Sequence, residues 1–348
     1  MDTLKIDEKG LLSFLTKLLN TPSPTGFAEP AIAFCDQVFS QIPGAVTSRT
    51  RKGALLVTIP GQHSDAPRAL TAHADTLGAM VKEVKSKGRL ELTQIGGYAW
   101  NSIEGEGCTI VTHTGRKVRG SILLTMASTH VFGNQVNDNK RSADNMEVRL
   151  DAVVQNAEET RALGIGVGDF VVFDPRVEVV NGFVRSRHLD DKAGVACILA
   201  ALRALSATGQ KPLQTTYILI SNYEEVGHGA AAGLPAEVQE LVAVDMAAVG
   251  AGQNSDEYHS TLCVKDSGGP YHHDLSQRLR QLAEDNDIPF KVDIYPYYGS
   301  DGEALWRAGA DVAVALIGPG VDASHSYERT HTDALLATSR WVLAYLTH

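Results

Sequence analysis

The chain has 348 residues, 43% of them hydrophobic, with a formal net charge of −10. That length suits two domains, or one core carrying an insertion. No apolar run reaches the ~18 residues of a membrane span, and the acidic balance argues against nucleic-acid partners. The first residues, Met1-Asp2-Thr3-Leu4-Lys5, lack a basic and then apolar signal pattern, which predicts a cytoplasmic protein. Cys35, Cys108, Cys197 and Cys263 lie far apart with no CxxC pair. They read as buried thiols of a reducing compartment.

Apolar residues at Leu11, Leu12, Leu15, Leu18 and Leu19 predict a helix over Asp7 to Leu19, ended by the Pro-rich Thr21 to Gly26. A second helix is predicted over Glu29 to Phe39. Leu55 to Ile59 and Arg68 to Ala72 read as strands around a polar turn, and the second ends at His73-Ala74-Asp75. From Gly78 to Phe183 the texture changes to short β-rich runs divided by Gly-rich turns: Ala79 to Val84, Leu90 to Ile95, Cys108 to Thr112, Ser121 to Leu124, Val148 to Val153 and Phe170 to Phe173. That spacing predicts a small barrel or sandwich, with Gln155 to Leu163 its one helix and Asn134 to Asn145 a mobile polar loop. Gly164 to Gly168 lacks the third glycine of a nucleotide loop and is followed by a strand, so it reads as a turn.

The α/β rhythm returns at Ser186. His188-Leu189-Asp190-Asp191 opens a helix to about Leu205. Gln214 to Ile220 is a buried central strand that runs into Ser221-Asn222-Tyr223-Glu224-Glu225-Val226-Gly227. Leu241 to Val244 is a strand closed by Asp245. Further strands are predicted at Thr261 to Lys265, Pro289 to Tyr295 and Val312 to Ile317. Helices are predicted at His272 to Asn286, Asp301 to Ala308 and Thr332 to Leu346, and a loop from Gly318 to Thr330 holds His325.

His73, Asp190, Glu225, Asp245 and His325 each fall at a strand end, at a helix start or in a loop beyond a strand. Open α/β sheets bind ligands beyond the carboxyl ends of their strands. Two histidines and three carboxylates suit two divalent ions, with one carboxylate bridging. Asp75, two residues past His73, is placed to accept that histidine's free ring N–H. Of the adjacent pair Glu224-Glu225, one can bind a cation while the other faces the reacting water. Taken singly, each has a plainer reading: Asp190-Asp191 as a helix cap, Asp245 as a turn residue, the glutamates as an acidic loop. His228, His272, His273 and His331 keep a structural reading, with His228 and His331 close enough to the motifs to support them.

Five stretches in order carry a resemblance: His73-Ala74-Asp75, Leu189-Asp190-Asp191-Lys192-Ala193-Gly194, Glu224-Glu225-Val226-Gly227, Val244-Asp245 and Ser324-His325-Ser326-Tyr327-Glu328. With Gly299-Ser300-Asp301-Gly302, Gly96-Gly97 and Gly164 to Asp169, they resemble the M42 metallo-aminopeptidases, which include the tetrahedral TET peptidases. The likeness spans nearly the whole chain. It implies an α/β fold: a mixed-sheet metallo-exopeptidase domain with helices on both faces (1–77 and 184–348), interrupted by a small β-barrel-like, PDZ-like dimerisation domain (78–183).

The resemblance also implies roles. Asp190 would bridge two divalent ions, zinc or cobalt first and manganese next. His73 and Asp245 would complete one site, and Glu225 and His325 the other. Glu224 would be the general base and Asp191 a support for the backbone around Asp190. The partners implied are short peptides and further copies of the chain, as a dimer building towards a tetrahedral dodecamer. Ala74, Thr76 and Lys192 depart from common family choices, which bears on substrate preference and packing. Alternative readings are an amidohydrolase acting on acylated amino acids or a specialised small peptide, and a non-catalytic metal-binding scaffold. Glycoside hydrolysis needs no metal pair and is disfavoured.

Overall fold

The computed structural model describes residues 5–348; the signal-sequence reading at Met1 to Leu4 falls outside them. The chain divides into two compact units, Met1–Thr76 with Arg176–His348, and Leu77–Pro175.

The larger unit opens with α1 (Glu8–Leu19), α2 (Glu29–Phe39), β1 (Val46–Arg49), β2 (Leu55–Ile59) and β3 (His63–His73). Asp7 caps α1 by accepting the Gly10 N–H at 3.1 Å, which satisfies one of the free donors of a helix start.

The smaller unit holds β4 (Gly78–Val84), β5 (Leu90–Ile95), β6 (Gly107–Val111), β7 (Lys117–Leu124), α3 (Thr129–Phe132), α4 (Gln135–Asp138), β8 (Met146–Leu150), α5 (Ala157–Ala162) and β9 (Phe170–Phe173). Its strands form a closed barrel in the order β4-β5-β8-β7-β6-β9. The barrel closes where β9 pairs with β4. Alternation makes it possible: Val118, Gly120, Ile122 and Leu124 of β7 are buried while their neighbours face outward. The barrel core includes Tyr98, whose ring meets Phe173 edge-on at 5.5 Å. The stretch expected to be a mobile loop, Asn134 to Asn145, contains the short α4. Arg141 donates there to the carbonyls of Val136 and Asn139 and to Glu104.

The larger unit resumes with β10 (Glu178–Val180), β11 (Phe183–Ser186), α6 (Leu189–Ala207), β12 (Gln214–Ser221), β13 (Glu240–Val244), β14 (Ala247–Val249), β15 (Ser260–Lys265), α7 (His273–Asp285), β16 (Phe290–Ile294), α8 (Asp301–Arg307), β17 (Ala313–Asp322), β18 (Glu328–His331) and α9 (Thr332–Thr347). Among the described residues its sheet has twelve strands, ordered β1-β2-β12-β3-β13-β17-β18-β11-β10, with β14 and β15 also on β17 and β16 on β15. Residues 176–183, read as part of the inserted domain, belong here instead, because β10 pairs with β11 and β11 with β18. The expected loop from Gly318 to Thr330 is shorter, since β17 runs to Asp322 and β18 begins at Glu328.

Three central strands run parallel: β12 and β13 both flank β3. Their carboxyl ends therefore open on one edge of the sheet. Helix α6 is apolar nearly all round and buried, as expected of a helix enclosed on several sides. It packs on α1, α9 and β3. Each large apolar side chain buried there stabilises by roughly 1.5–3 kcal/mol. That packing fixes the start of α6, and Asp190 with it, against the end of β3.

Candidate active site

His73 is the last residue of β3 and is 1% exposed. Its Nε2 lies 3.0 Å from Asp190 Oδ1 and 3.8 Å from Glu224 Oε2. His325, in the turn before β18, places Nε2 at 3.3 Å from Asp190 Oδ2 and 3.7 Å from Glu225 Oε2. Asp245 follows β13 directly. Its carboxylate forms a group with His73 and Asp190 in which one ligand atom from each lies within 4.8 Å of the others. The structure thus brings His73, Asp190, Glu224, Glu225, Asp245 and His325 to one place beyond the parallel strand ends.

Asp75 is fully buried but works differently from expectation. His73 Nδ1 meets the Asp75 main-chain carbonyl at 3.0 Å, while the carboxylate is 3.7 Å away. Strand β3 stops at His73, the Ala74 N–H still meets the Ser221 carbonyl at 3.0 Å, and Thr76 forms a parallel bridge with Pro24. The Asp75 carboxylate instead accepts the Thr25 hydroxyl at 2.6 Å and the Glu224 N–H at 3.2 Å. It therefore ties the loop bearing Glu224 to the N-terminal segment.

Asp191 accepts the His73 N–H at 3.2 Å and the Gly194 N–H at 3.1 Å. It joins the end of β3 to the first turn of α6. A Cβ on Gly194 would lie 2.1 Å from the Val244 carbonyl oxygen, so this close approach needs glycine.

Other residues that shape the site carried no assigned role in the sequence reading. Glu328 is buried and accepts the N–H groups of both His325 and Asp190, at 2.9 and 3.1 Å. The local signal was its position three residues after His325. Asp301 accepts from the hydroxyls of Thr71 and Ser221 and from the Ala230 N–H, at 3.0, 2.5 and 2.7 Å. It pins β3, β12 and the end of the loop after β12 together. His228 stacks on Tyr223 at 5.1 Å, outside the ligand-type group. His331 caps α9 by accepting the Asp333 N–H at 3.2 Å. His272 caps α7 by accepting the Leu275 N–H at 3.3 Å. His273 pairs with Asp274 on the surface.

The charges make the site's need plain. Burial, with the Asp245 charge among the neighbours adding to it, pushes the Glu224 carboxyl well above its ordinary range. Burial and then the Asp190 charge do the same to Glu225, and push Asp245 up to about 7. Burial would also raise Asp190, but hydrogen bonds from His325 and His73 outweigh it and hold that carboxyl low. Several buried carboxylates with few neutralising groups form a donor set that fits divalent cations. Nitrogen and oxygen ligands of this kind suit zinc-class ions.

One glycine controls the position of Asp245. A Cβ on Gly318 would come 1.6 Å from the Asp245 carbonyl oxygen. Gly318→Ala should push the Asp245 backbone away from β17. We expect a stability loss of roughly 1–3 kcal/mol together with weakened metal retention, read by denaturant melts and elemental analysis. A variant with unchanged metal content would show that the register around Asp245 tolerates the shift.

The family match and a close relative make the chain a hydrolytic aminopeptidase. The chain belongs to the M42 glutamyl aminopeptidase family, whose sequence pattern matches residues 53–341. It is 47% identical over 336 residues to the protein named "Putative aminopeptidase YhfE" of Bacillus subtilis, covering 96% of each chain. Among solved structures it is similar to the aminopeptidase APDkam598 from the archaeon Desulfurococcus kamchatkensis, with a TM-score of 0.87 and 21% identity, covering 97% of this chain and 95% of that one. It is also similar to the Pyrococcus horikoshii TET1 peptidase, described as able to assemble into a tetrahedron or a large octahedral shell. That match has a TM-score of 0.83 and 22% identity, covering 97% of this chain and 99% of the other. Membership implies divalent metal ions, consistent with the donor set.

Proposed function

We propose that the chain removes single N-terminal residues from short peptides, using a carboxylate-bridged pair of divalent ions and Glu224 as general base. One observation carries the dinuclear reading. The two oxygens of Asp190 are directed to different histidines, Oδ1 to His73 and Oδ2 to His325. In this assignment His73, Asp190 and Asp245 hold one ion, and Asp190, Glu225 and His325 the other. Zinc and cobalt fit best and manganese is acceptable, since geometry and availability decide between such ions. Bound there, the ions would polarise the scissile carbonyl and activate the attacking water.

The chain's own residues do the rest. Glu224 stands beside the ligand group without being needed to complete either set, and its N–H is fixed by Asp75. Its carboxylate takes a proton and returns it to the leaving amine. Asp191 and Glu328 hold the ligands' backbone through the N–H groups of His73, Asp190 and His325. The inserted β unit, read from the sequence as 78–183, is assigned to dimerisation, with dimers building towards a twelve-subunit shell in the cytoplasm. The fold shared with the TET1 peptidase supports that assembly.

The test is hydrolysis of aminoacyl-anilides and short peptides by protein reloaded with zinc, cobalt or manganese, beside a chelated control. Release of single N-terminal residues that stops on chelation is expected. Two bound ions with no such release under any metal would overturn the proposal.

A further inference from the structure

The turn between β1 and β2 lies where the site needs support. Residues Thr50 to Gly53 close it, with the Gly53 N–H donating to the Thr50 carbonyl at 2.9 Å. Strand β2 runs antiparallel to β12 with Leu55 opposite Ile220. The turn is therefore beside the end of β12, where the loop of residues 222–229 begins. Gly53 has φ of +89°, and a Cβ there would come 3.1 Å from Asn222 Nδ2. Glycine lets the turn approach this closely.

Lys52 sits at this turn and touches the loop at both ends. Its carbonyl accepts a hydrogen bond from Asn222 Nδ2 at 2.6 Å. Its ammonium donates to the carbonyl of His228 and, at 3.0 Å, to that of Gly229. The same ammonium lies 5.5 Å from the centre of the Tyr223 ring, within cation–π range. The contacts fall on residues 222, 223, 228 and 229, so Glu224 and Glu225 are held between them. Within the loop, the Gly227 N–H meets the Glu224 carbonyl at 2.6 Å and the His228 N–H meets the Tyr223 carbonyl at 3.1 Å. Those bonds shape the bend but do not anchor it to the sheet. A charged donor on two carbonyls is among the stronger anchors available to a loop.

We propose that Lys52 is a positioning residue for the peptidase reaction, clamping the Glu224-Glu225 loop to the β1–β2 turn so that the Glu224 carboxylate stays at its working distance. The proposal rests on the role given to Glu224 above. Displacing a catalytic group by about 1 Å can cost ~10²-fold in rate, even when the change lies away from the chemistry. Lys52 acts through the backbone of the loop, so the affected step is turnover and not substrate capture.

The test uses the full chain loaded with metal. Lys52→Met keeps the aliphatic stem and removes the donors. It should lower kcat by roughly 10- to 100-fold while KM stays within about threefold, with metal content unchanged by elemental analysis. Lys52→Arg, which can still donate to both carbonyls, should recover most of that loss. In a Glu224→Gln background Lys52→Met should have little further effect, because both changes act on one proton transfer. A normal kcat for Lys52→Met would overturn the proposal. So would equal losses in the two backgrounds, or a loss that tracks departure of the metal. An inactive Glu224→Gln beside a normal Lys52→Met would sink this inference alone, whereas a fully active Glu224→Gln would sink the assignment of the base. Should Lys52→Met fail to fold, Asn222→Ala releases the other end of the loop. It should give the same fall in kcat, and unchanged turnover there would overturn the clamp.

Discussion

Asp190→Asn should leave the protein folded while removing its bound metal and its aminopeptidase activity together. The carboxylate offers one oxygen 3.0 Å from His73 Nε2 and the other 3.3 Å from His325 Nε2. An asparagine keeps the shape but offers one neutral acceptor and one NH₂ donor, so it can face only one side as a ligand. Activity should fall by at least ~10²-fold, and kcat/KM should fall with it. The metal-free fold should change little, because two effects oppose: the variant weakens the bonds from His73 and His325 that favour the Asp190 carboxylate, and it relieves Glu225 and Asp245 of a neighbouring charge. Elemental analysis, a thermal melt and steady-state kinetics on one preparation decide the matter. Full occupancy with normal turnover would refute the bridging assignment.

Glu224→Gln should behave in the opposite way towards metal. The amide matches the carboxylate in size, and the backbone N–H of residue 224 keeps its bond to Asp75. What is lost is the ability to take up a proton. General-base groups typically contribute ~10²–10⁴-fold, so kcat should drop by at least ~10²-fold with ion content and assembly state intact. The contrast between the two variants separates binding of the ions from use of the water. Unchanged turnover in Glu224→Gln would remove that residue from the base role.

Much of this was legible in the sequence because the relevant residues sit where periodic patterns stop. His73 ends a buried strand, Asp245 follows one directly, and the Glu224-Glu225 pair lies just past the end of another. Such endings can be read from local residues, and the order of strands in a parallel sheet then gathers them at one edge. The contacts around them were harder to see. Asp75 was expected to orient His73 with its carboxylate, but that carboxylate is taken up by the Thr25 hydroxyl and the Glu224 N–H, and the Asp75 main-chain carbonyl meets His73 instead. Glu328 serves Asp190, which is far away in sequence. Lys52 reaches the loop only because β2 lies beside β12, a pairing that no local pattern encodes. Strands β10 and β14 are three residues each, too short for alternation to show, and so residues 176–183 were placed with the wrong unit.

The two units differ in how the chain supplies them. Leu77–Pro175 is one continuous stretch, while the larger unit needs segments from either side of it. During synthesis the barrel's residues emerge together, and domains tend to fold as they emerge. The candidate site draws on His73 early and His325 late, with Asp190, Glu225 and Asp245 between them. A nascent chain therefore carries fragments of the site for most of its time on the ribosome. On the proposed assignment, the set of ligands is complete only once the segment bearing His325 has joined the sheet.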